Sequence, residues 1–150
     1  MDHTAPVATL LRRIAAHLDL RAAEFAAAEG LHPTDLRALV LLLDARRDGH
    51  RATPGWLSAR LALNSASVTA LVDRLAKAGY VDRAPDRRDR RRVLLALRDR
   101  GLAVGTRYLG WTAGAMTSAL AEFDGDELRT AIRVLDRLEQ AFTSSPTVRA

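Results

Sequence analysis

Val81-Asp-Arg-Ala-Pro-Asp-Arg-Arg-Asp-Arg-Arg-Arg-Val-Leu-Leu-Ala-Leu97 concentrates nearly all of the chain's excess charge. Residues 83–92 hold six arginines (Arg83, Arg87, Arg88, Arg90, Arg91, Arg92) against two acids (Asp86, Asp89), a net +4 where the whole chain carries +5. The positive charge is therefore a local device and not a general property of the surface. Pro85-Asp86 marks a turn. Val93, Leu95 and Leu97 recur at period two, as on a half-buried strand, and Tyr80 and Val81 favour a strand before the turn. The pattern predicts a short β-hairpin with an arginine-studded tip.

Working outward, Asn64-Ser-Ala-Ser-Val-Thr-Ala-Leu-Val-Asp-Arg-Leu-Ala-Lys-Ala78 reads as a helix, capped by Asn64 or Ser65 and stopped by Gly79. Val68, Leu71, Val72 and Leu75 fall at i, i+3, i+4 and i+7, one buried stripe. The other face carries Ser65, Ser67 and Thr69 early, then Arg74 and Lys77. Small hydroxyls near the start and cations further along suit a helix laid in a DNA major groove, where hydroxyls approach base edges and cations reach phosphates. Ala66 and Ala70 are placed to touch thymine methyls. The competing reading of Arg74 is a salt bridge to Asp73 or Asp82. One turn earlier, Thr53-Pro-Gly-Trp-Leu-Ser-Ala-Arg-Leu-Ala62 opens with an N-cap threonine and proline at the first helical position. Helix, tight turn, helix and basic hairpin together predict a winged helix-turn-helix.

These residues resemble the MarR family of bacterial transcriptional regulators. The likeness is carried by Leu57 to Val81, with Val68-Thr-Ala-Leu-Val-Asp-Arg-Leu75 and Gly79 at its heart, then by Arg83, Asp86-Arg-Arg-Asp-Arg-Arg91, Leu95-Ala-Leu97 and Gly101. Arg98 stands where the family usually has a helix-capping threonine, a role Asp99 is placed to take. Arg87 stands where it often has proline. The resemblance implies that Arg91 reaches a minor groove, whose potential is most negative where A·T tracts narrow it. Asp89 then orients a wing arginine, since phosphate would repel it from DNA. Arg87, Arg88 and Arg90 add salt-dependent affinity without sequence information. The resemblance also implies a pocket between the dimer region and the DNA-binding lobe, often for phenolic or other aromatic anions that loosen DNA binding. Lining candidates are His17, Phe25, Arg37, Tyr108 and Trp111, each with ordinary packing or surface exposure as its rival explanation.

The rest of the chain is read as helices. Residues 4–29 form a long one with an apolar stripe of Val7, Leu10, Leu11, Ile14, Leu18, Ala22 and Phe25. A second, from about Thr34 to Arg46, is apolar most of the way round and so central. Residues 46–52 make a solvated loop. Another helix covers about Asp99–Glu122, where Gly101, Gly105, Gly110 and Gly114 each cost roughly 1 kcal/mol relative to alanine unless close packing or bending requires them. The last runs to about Phe142, with acids in its first turn and a stripe of Leu128, Ile132, Leu135 and Phe142. A frayed tail is expected over residues 144–150.

The stripes at both chain ends exceed what one small module can cover. They predict a dimerisation region, with Leu10, Ile14, Leu128, Ile132 and Leu135 as its candidates, and a two-fold dimer reading a pseudo-palindromic operator. The expected class is mainly α with a small β-hairpin wing: one domain over 1–150, with dimerisation helices at about 4–29 and 99–143 and the winged module at about 34–98. There is no cysteine, which excludes disulfides, cysteine-based zinc sites and thiol redox sensing, including the peroxide-sensing branch of the family. No stretch of 18 apolar residues occurs and no signal peptide opens the chain, so the protein is expected to be cytoplasmic. His3, His17, His32 and His50 are widely spaced, and no phosphate loop or nucleophile elbow appears. No enzyme activity, metal or cofactor is expected. The expected partners are double-stranded DNA, a second copy of the chain and a small-molecule effector. An effector-independent DNA binder, an activator, and a helical adaptor for an acidic protein remain as alternatives.

Overall fold

The computed structural model describes residues 2–144. Its elements are α1 (Thr4–Ala28), α2 (Pro33–Arg47), α3 (Pro54–Leu61), α4 (Ser65–Lys77), β1 (Val81–Pro85), β2 (Val93–Leu97), α5 (Asp99–Leu120) and α6 (Gly125–Ser144). The tail expected at the C-terminus lies, from Ser145 onward, outside the described residues. The chain divides into two compact units, Met1–Gly110 and Trp111–Ala150.

In the first unit the helix starts follow local chemistry. The His32 ring nitrogen Nδ1 accepts from the Thr34 N–H at 3.2 Å, Thr53 Oγ1 from Trp56 N–H at 3.1 Å, and Asn64 Oδ1 from Ser67 N–H at 2.8 Å. Asn64, not Ser65, is thus the cap of α4, a bond worth about 1 kcal/mol. At the other end of α4 the chain turns at Gly79, where φ is +78°, and the Tyr80 N–H reaches back to the Leu75 carbonyl at 2.9 Å. Helix α3 closes in the same way, except that Ala62 takes the left-handed position at φ +52°, and Ser58 Oγ locks the turn by donating to the Leu63 carbonyl at 2.6 Å.

The core is built on α2 and α4. Leu36 and Leu39 of α2, Leu57 of α3, Val72 and Leu75 of α4 and Val81 of β1 are all but completely buried. Fully burying each such side chain contributes roughly 1.5–3 kcal/mol. Ala26 from α1 and Val104 from α5 complete the cluster. Along α1 only the C-terminal part joins it: Val7, Leu10 and Ile14 of the expected stripe are exposed.

Strands β1 and β2 pair antiparallel, Val81 opposite Leu97 and Pro85 opposite Val93. The backbone of the loop before α3 joins them, with the Leu95 N–H donating to the Ala52 carbonyl at 2.9 Å. The period-two expectation for β2 holds for Leu95, which is buried, and Leu97, which is half-buried, but Val93 is 42% exposed. Val93 lies opposite Pro85 at the far end of the hairpin, where the ladder has left the body of the protein and no core remains to cover it.

In the second unit Asp124 and Glu127 form a reciprocal box at the start of α6. Asp124 Oδ1 accepts from the N–H groups of Asp126 and Glu127 at 2.8 and 2.9 Å, and Glu127 Oε2 accepts from the Asp124 N–H at 2.9 Å. The stripe expected to be buried on α6 is not buried within one chain: Ile132 is 58%, Leu135 51% and Phe142 79% exposed, with Leu128 half-buried.

Candidate nucleic-acid interface

Burying Val68, Leu71, Val72 and Leu75 fixes the rotation of α4 and leaves Ser65, Ala66, Ser67, Thr69, Ala70, Arg74 and Lys77 on the exposed side. The Thr69 hydroxyl donates to the Ser65 carbonyl at 2.8 Å, so its proton is occupied while its oxygen can still accept. Ser65 and Ser67 lie in the first turn, where α4 also presents backbone N–H groups.

Arg74 has a partner that local spacing does not show. Its Nε and Nη2 donate to the two oxygens of Asp35 on α2, at 3.0 and 2.5 Å, and Asp35 is buried. The hydrogen bond to Asp35 raises the Arg74 pKa above its ordinary value, against the opposing effect of burial and with the Asp35 charge assisting. Asp73 and Asp82, the two carboxylates considered as its partners, are engaged elsewhere: Asp73 with Arg83 at 2.6 Å and Asp82 with Arg98 at 3.6 Å. Arg74 remains half-exposed on α4 and is a strut between α4 and α2.

The wing tip is held by its own acids. Asp89 Oδ1 accepts the Arg91 N–H at 3.0 Å and the Asp89 carbonyl accepts the Arg92 N–H at 2.9 Å, so Asp89 orients Arg91 through its backbone. Asp86, which marks the turn after β1, is 1% exposed. Its N–H donates to the Arg92 carbonyl at 2.9 Å, its Oδ1 accepts the Arg88 N–H at 2.7 Å, and the Arg51 guanidinium binds the same oxygen. Arg51, read as part of a solvated loop, is thus half-buried at the base of the wing. Arg87, Arg88, Arg90 and Arg91 are all exposed.

The result is one exposed surface of small hydroxyls on a helix, followed in the chain by a hairpin tipped with cations. Residues 29–92, from the end of α1 to the wing tip, match the sequence model of the MarR family. This chain is therefore MarR-like in sequence over residues 29–92. Over 70 residues it is 50% identical to an uncharacterised HTH-type transcriptional regulator, YcgE of Bacillus subtilis strain 168, an alignment covering 47% of this chain and 43% of that protein. It is 28% identical over 112 residues to the HTH-type transcriptional repressor YetL of the same strain, covering 75% of this chain and 66% of that one. These matches span less than two thirds of either relative. Among solved structures, a MarR family protein from Bacillus stearothermophilus superposes with a TM-score of 0.74 at 27% identity, covering 96% of this chain and 99% of that one. The MarR-family winged helix-turn-helix is thus the fold of this chain.

Away from the wing, the chain brings three of the five effector-pocket candidates into one region. The Phe25 and Tyr108 rings meet edge to face with centroids 5.3 Å apart. Arg37 approaches Asp19, which the sequence reading did not single out, at 3.5 Å. Burial raises the Tyr108 pKa above its ordinary value, the Asp19 charge adds to the rise, and Arg37 opposes it. His17 is exposed on α1, and Trp111, also exposed, belongs to the second unit. Asp19→Asn is expected to lower the Tyr108 pKa and Arg37→Gln to raise it, which ultraviolet difference titration of the phenolate checks. A raised tyrosine pKa favours the neutral folded form. Its stabilising contribution is therefore complete below the ordinary value near 10 and is lost as pH climbs through the higher folded value. Opposite or absent shifts in the two variants would remove Asp19 and Arg37 from the tyrosine's surroundings.

Among the described residues, no group of three or more His, Asp or Glu side chains is arranged to hold a metal ion, and no helix is long and apolar enough to cross a membrane.

Proposed function

We propose that this chain is a sequence-specific DNA-binding transcriptional regulator that works as a homodimer on a pseudo-palindromic operator. The observation that carries the proposal is the exposed face of α4, rotated outward by its buried stripe and followed directly by the arginine wing. Helix α4 enters the major groove with Ser65, Ser67 and Thr69 toward base edges, and Lys77 toward phosphate. Arg91 enters the adjacent minor groove, while Arg87, Arg88 and Arg90 hold phosphates. A second copy covers the apolar stripes left open on α1 and α6, among them Leu10, Ile14, Leu128, Ile132 and Leu135. Two recognition helices then address half-sites about 34–36 Å apart. The sense of regulation is repression, as in YetL. A small aromatic anion taken near Phe25, Arg37 and Tyr108 relieves it by favouring a different spacing of the two recognition helices.

The test is titration of the protein onto its own upstream intergenic DNA and onto scrambled DNA at several salt concentrations, for wild type and Arg91→Ala. Tighter binding of the native fragment, weakened about tenfold or more by Arg91→Ala, is expected. Equal and steeply salt-dependent binding to both fragments would mean that charge alone is read. No binding to either, even at low salt, would leave the adaptor reading, in which the basic hairpin grips an acidic protein.

A further inference from the structure

Asp35 and Asp86 are the two buried charged residues among the described residues, and each ties one DNA-facing element to the body of the protein. Asp35 holds α4 through Arg74. Asp86 does something less direct, because it sits at the base of the loop that carries five exposed arginines, Arg87, Arg88, Arg90, Arg91 and Arg92. Its three bonds reach the Arg51 guanidinium, the Arg88 N–H and the Arg92 carbonyl. One of these crosses 35 residues of sequence to the segment before α3. The next residue of that segment, Ala52, accepts the Leu95 N–H from β2, so the wing is fastened to residues 51–52 by a side-chain tie and a backbone tie. The second carboxylate oxygen of Asp86 is buried with no hydrogen-bond partner. Burying a carboxylate is costly unless it is paired, and this one is only half satisfied by the chain itself. A turn built merely for solubility would not bury it.

We propose that Asp86, through Arg51, is the positioning residue that sets the wing turn and aims Arg91 at the minor groove. This rests on the DNA-binding reading above. A wing turn free to change shape still brings its arginines near DNA, because charge attracts from any orientation. It does not bring Arg91 to a fixed place, which is what reading a narrow groove requires. Asp86 therefore contributes to sequence discrimination and not to general affinity.

Asp86→Asn separates the two contributions by sign. The substitution makes the wing one unit more positive, so if charge alone mattered, every DNA would bind more tightly. Positioning requires the opposite on the operator: affinity for the native fragment about tenfold weaker, binding to scrambled DNA no weaker than wild type, and discrimination between them correspondingly lost. Arg51→Gln breaks the same tie from the exposed side and guards against an Asp86 variant that folds poorly. It is expected to lose discrimination to a similar degree, with Arg51→Lys recovering part of it. Hydrogen exchange on the DNA-free proteins supplies the independent arm. The Arg88 amide is expected to exchange about tenfold faster in both Asp86→Asn and Arg51→Gln, with the α4 amides unchanged. Wild-type discrimination and unchanged Arg88 exchange in both variants would overturn the proposal. So would an Asp86→Asn protein that binds the operator more tightly. If the wild type itself fails to discriminate, the DNA-reading function falls, and the exchange arm still decides whether Asp86 and Arg51 order the wing.

Discussion

Gly101→Ala is expected to lower the stability of the first unit by about 3 kcal/mol, a fall of roughly 6–12 °C in melting temperature for a chain of this size. A Cβ on Gly101 would stand 2.3 Å from the Tyr80 carbonyl oxygen and 3.0 Å from Leu97 Cδ2. That carbonyl cannot yield freely, because it accepts the Arg98 N–H at 3.0 Å and so fixes the junction between β2 and α5. The methyl group has to push the first turn of α5 away from the end of α4 and the start of β1, where Arg100 also binds the Ala78 carbonyl at 2.7 Å. Gly110→Ala is the matching control. An added Cβ there meets nothing within 4 Å, and alanine is the better helix former, so the melting temperature is expected to hold or rise. Calorimetry on the two variants checks both. Equal melting temperatures for Gly101→Ala and wild type would show that α5 does not approach β1 so closely.

The second large effect concerns assembly. Ile132→Glu combined with Leu135→Glu is expected to convert a dimer into a monomer and to weaken operator binding at least about a hundredfold. Both side chains are more than half exposed in the single chain, and none of the described side chains of α6 is buried. They share the helix with Arg129, Arg133, Asp136 and Arg137, which leaves a sharply two-faced surface. A carboxylate in the middle of an apolar contact between two copies has no partner and costs several kcal/mol. Each monomer then holds a single half-site, without the gain that comes from tethering two. Sedimentation velocity gives the mass and the DNA titration gives the affinity. A double variant that stays dimeric would place the interface elsewhere.

Much of this was legible in the sequence because it is local. The caps at Thr53 and Asn64, the stop at Gly79, and the α4 stripe are set by residues within one or two turns of each other. The rotation of the recognition helix follows from that stripe alone. What could not be read are the contacts between distant segments. Asp35 and Arg74 are 39 residues apart, and Arg51 and Asp86 are 35 apart. Each of these residues sits in a charged neighbourhood that looks solvated. Nothing in the spacing of Asp86 distinguishes it from Asp89, although one is buried and the other is exposed. The glycines of α5 show the same limit. Gly101 and Gly110 carry the same helix penalty on paper, and only the packed chain shows that one lies against a carbonyl and the other against open space. Val93 fits the period of a half-buried strand, and period cannot say where along a hairpin the protein ends. The effector candidates rest on side-chain chemistry near the right helices. Three of them converge, but the carboxylate that shapes Tyr108, Asp19, was not among them.

The wing owes its charge entirely to arginine, and Lys77 is the single lysine in the chain. A guanidinium is a permanent charge, and lysine acetylation cannot reach it. Neither a drift in cellular acidity nor an acetyltransferase can therefore mute the five-arginine tip. On the DNA-binding reading proposed above, release would then come by mechanical means, by shifting the wing or parting the two copies of α4, or through ions that compete for the phosphates.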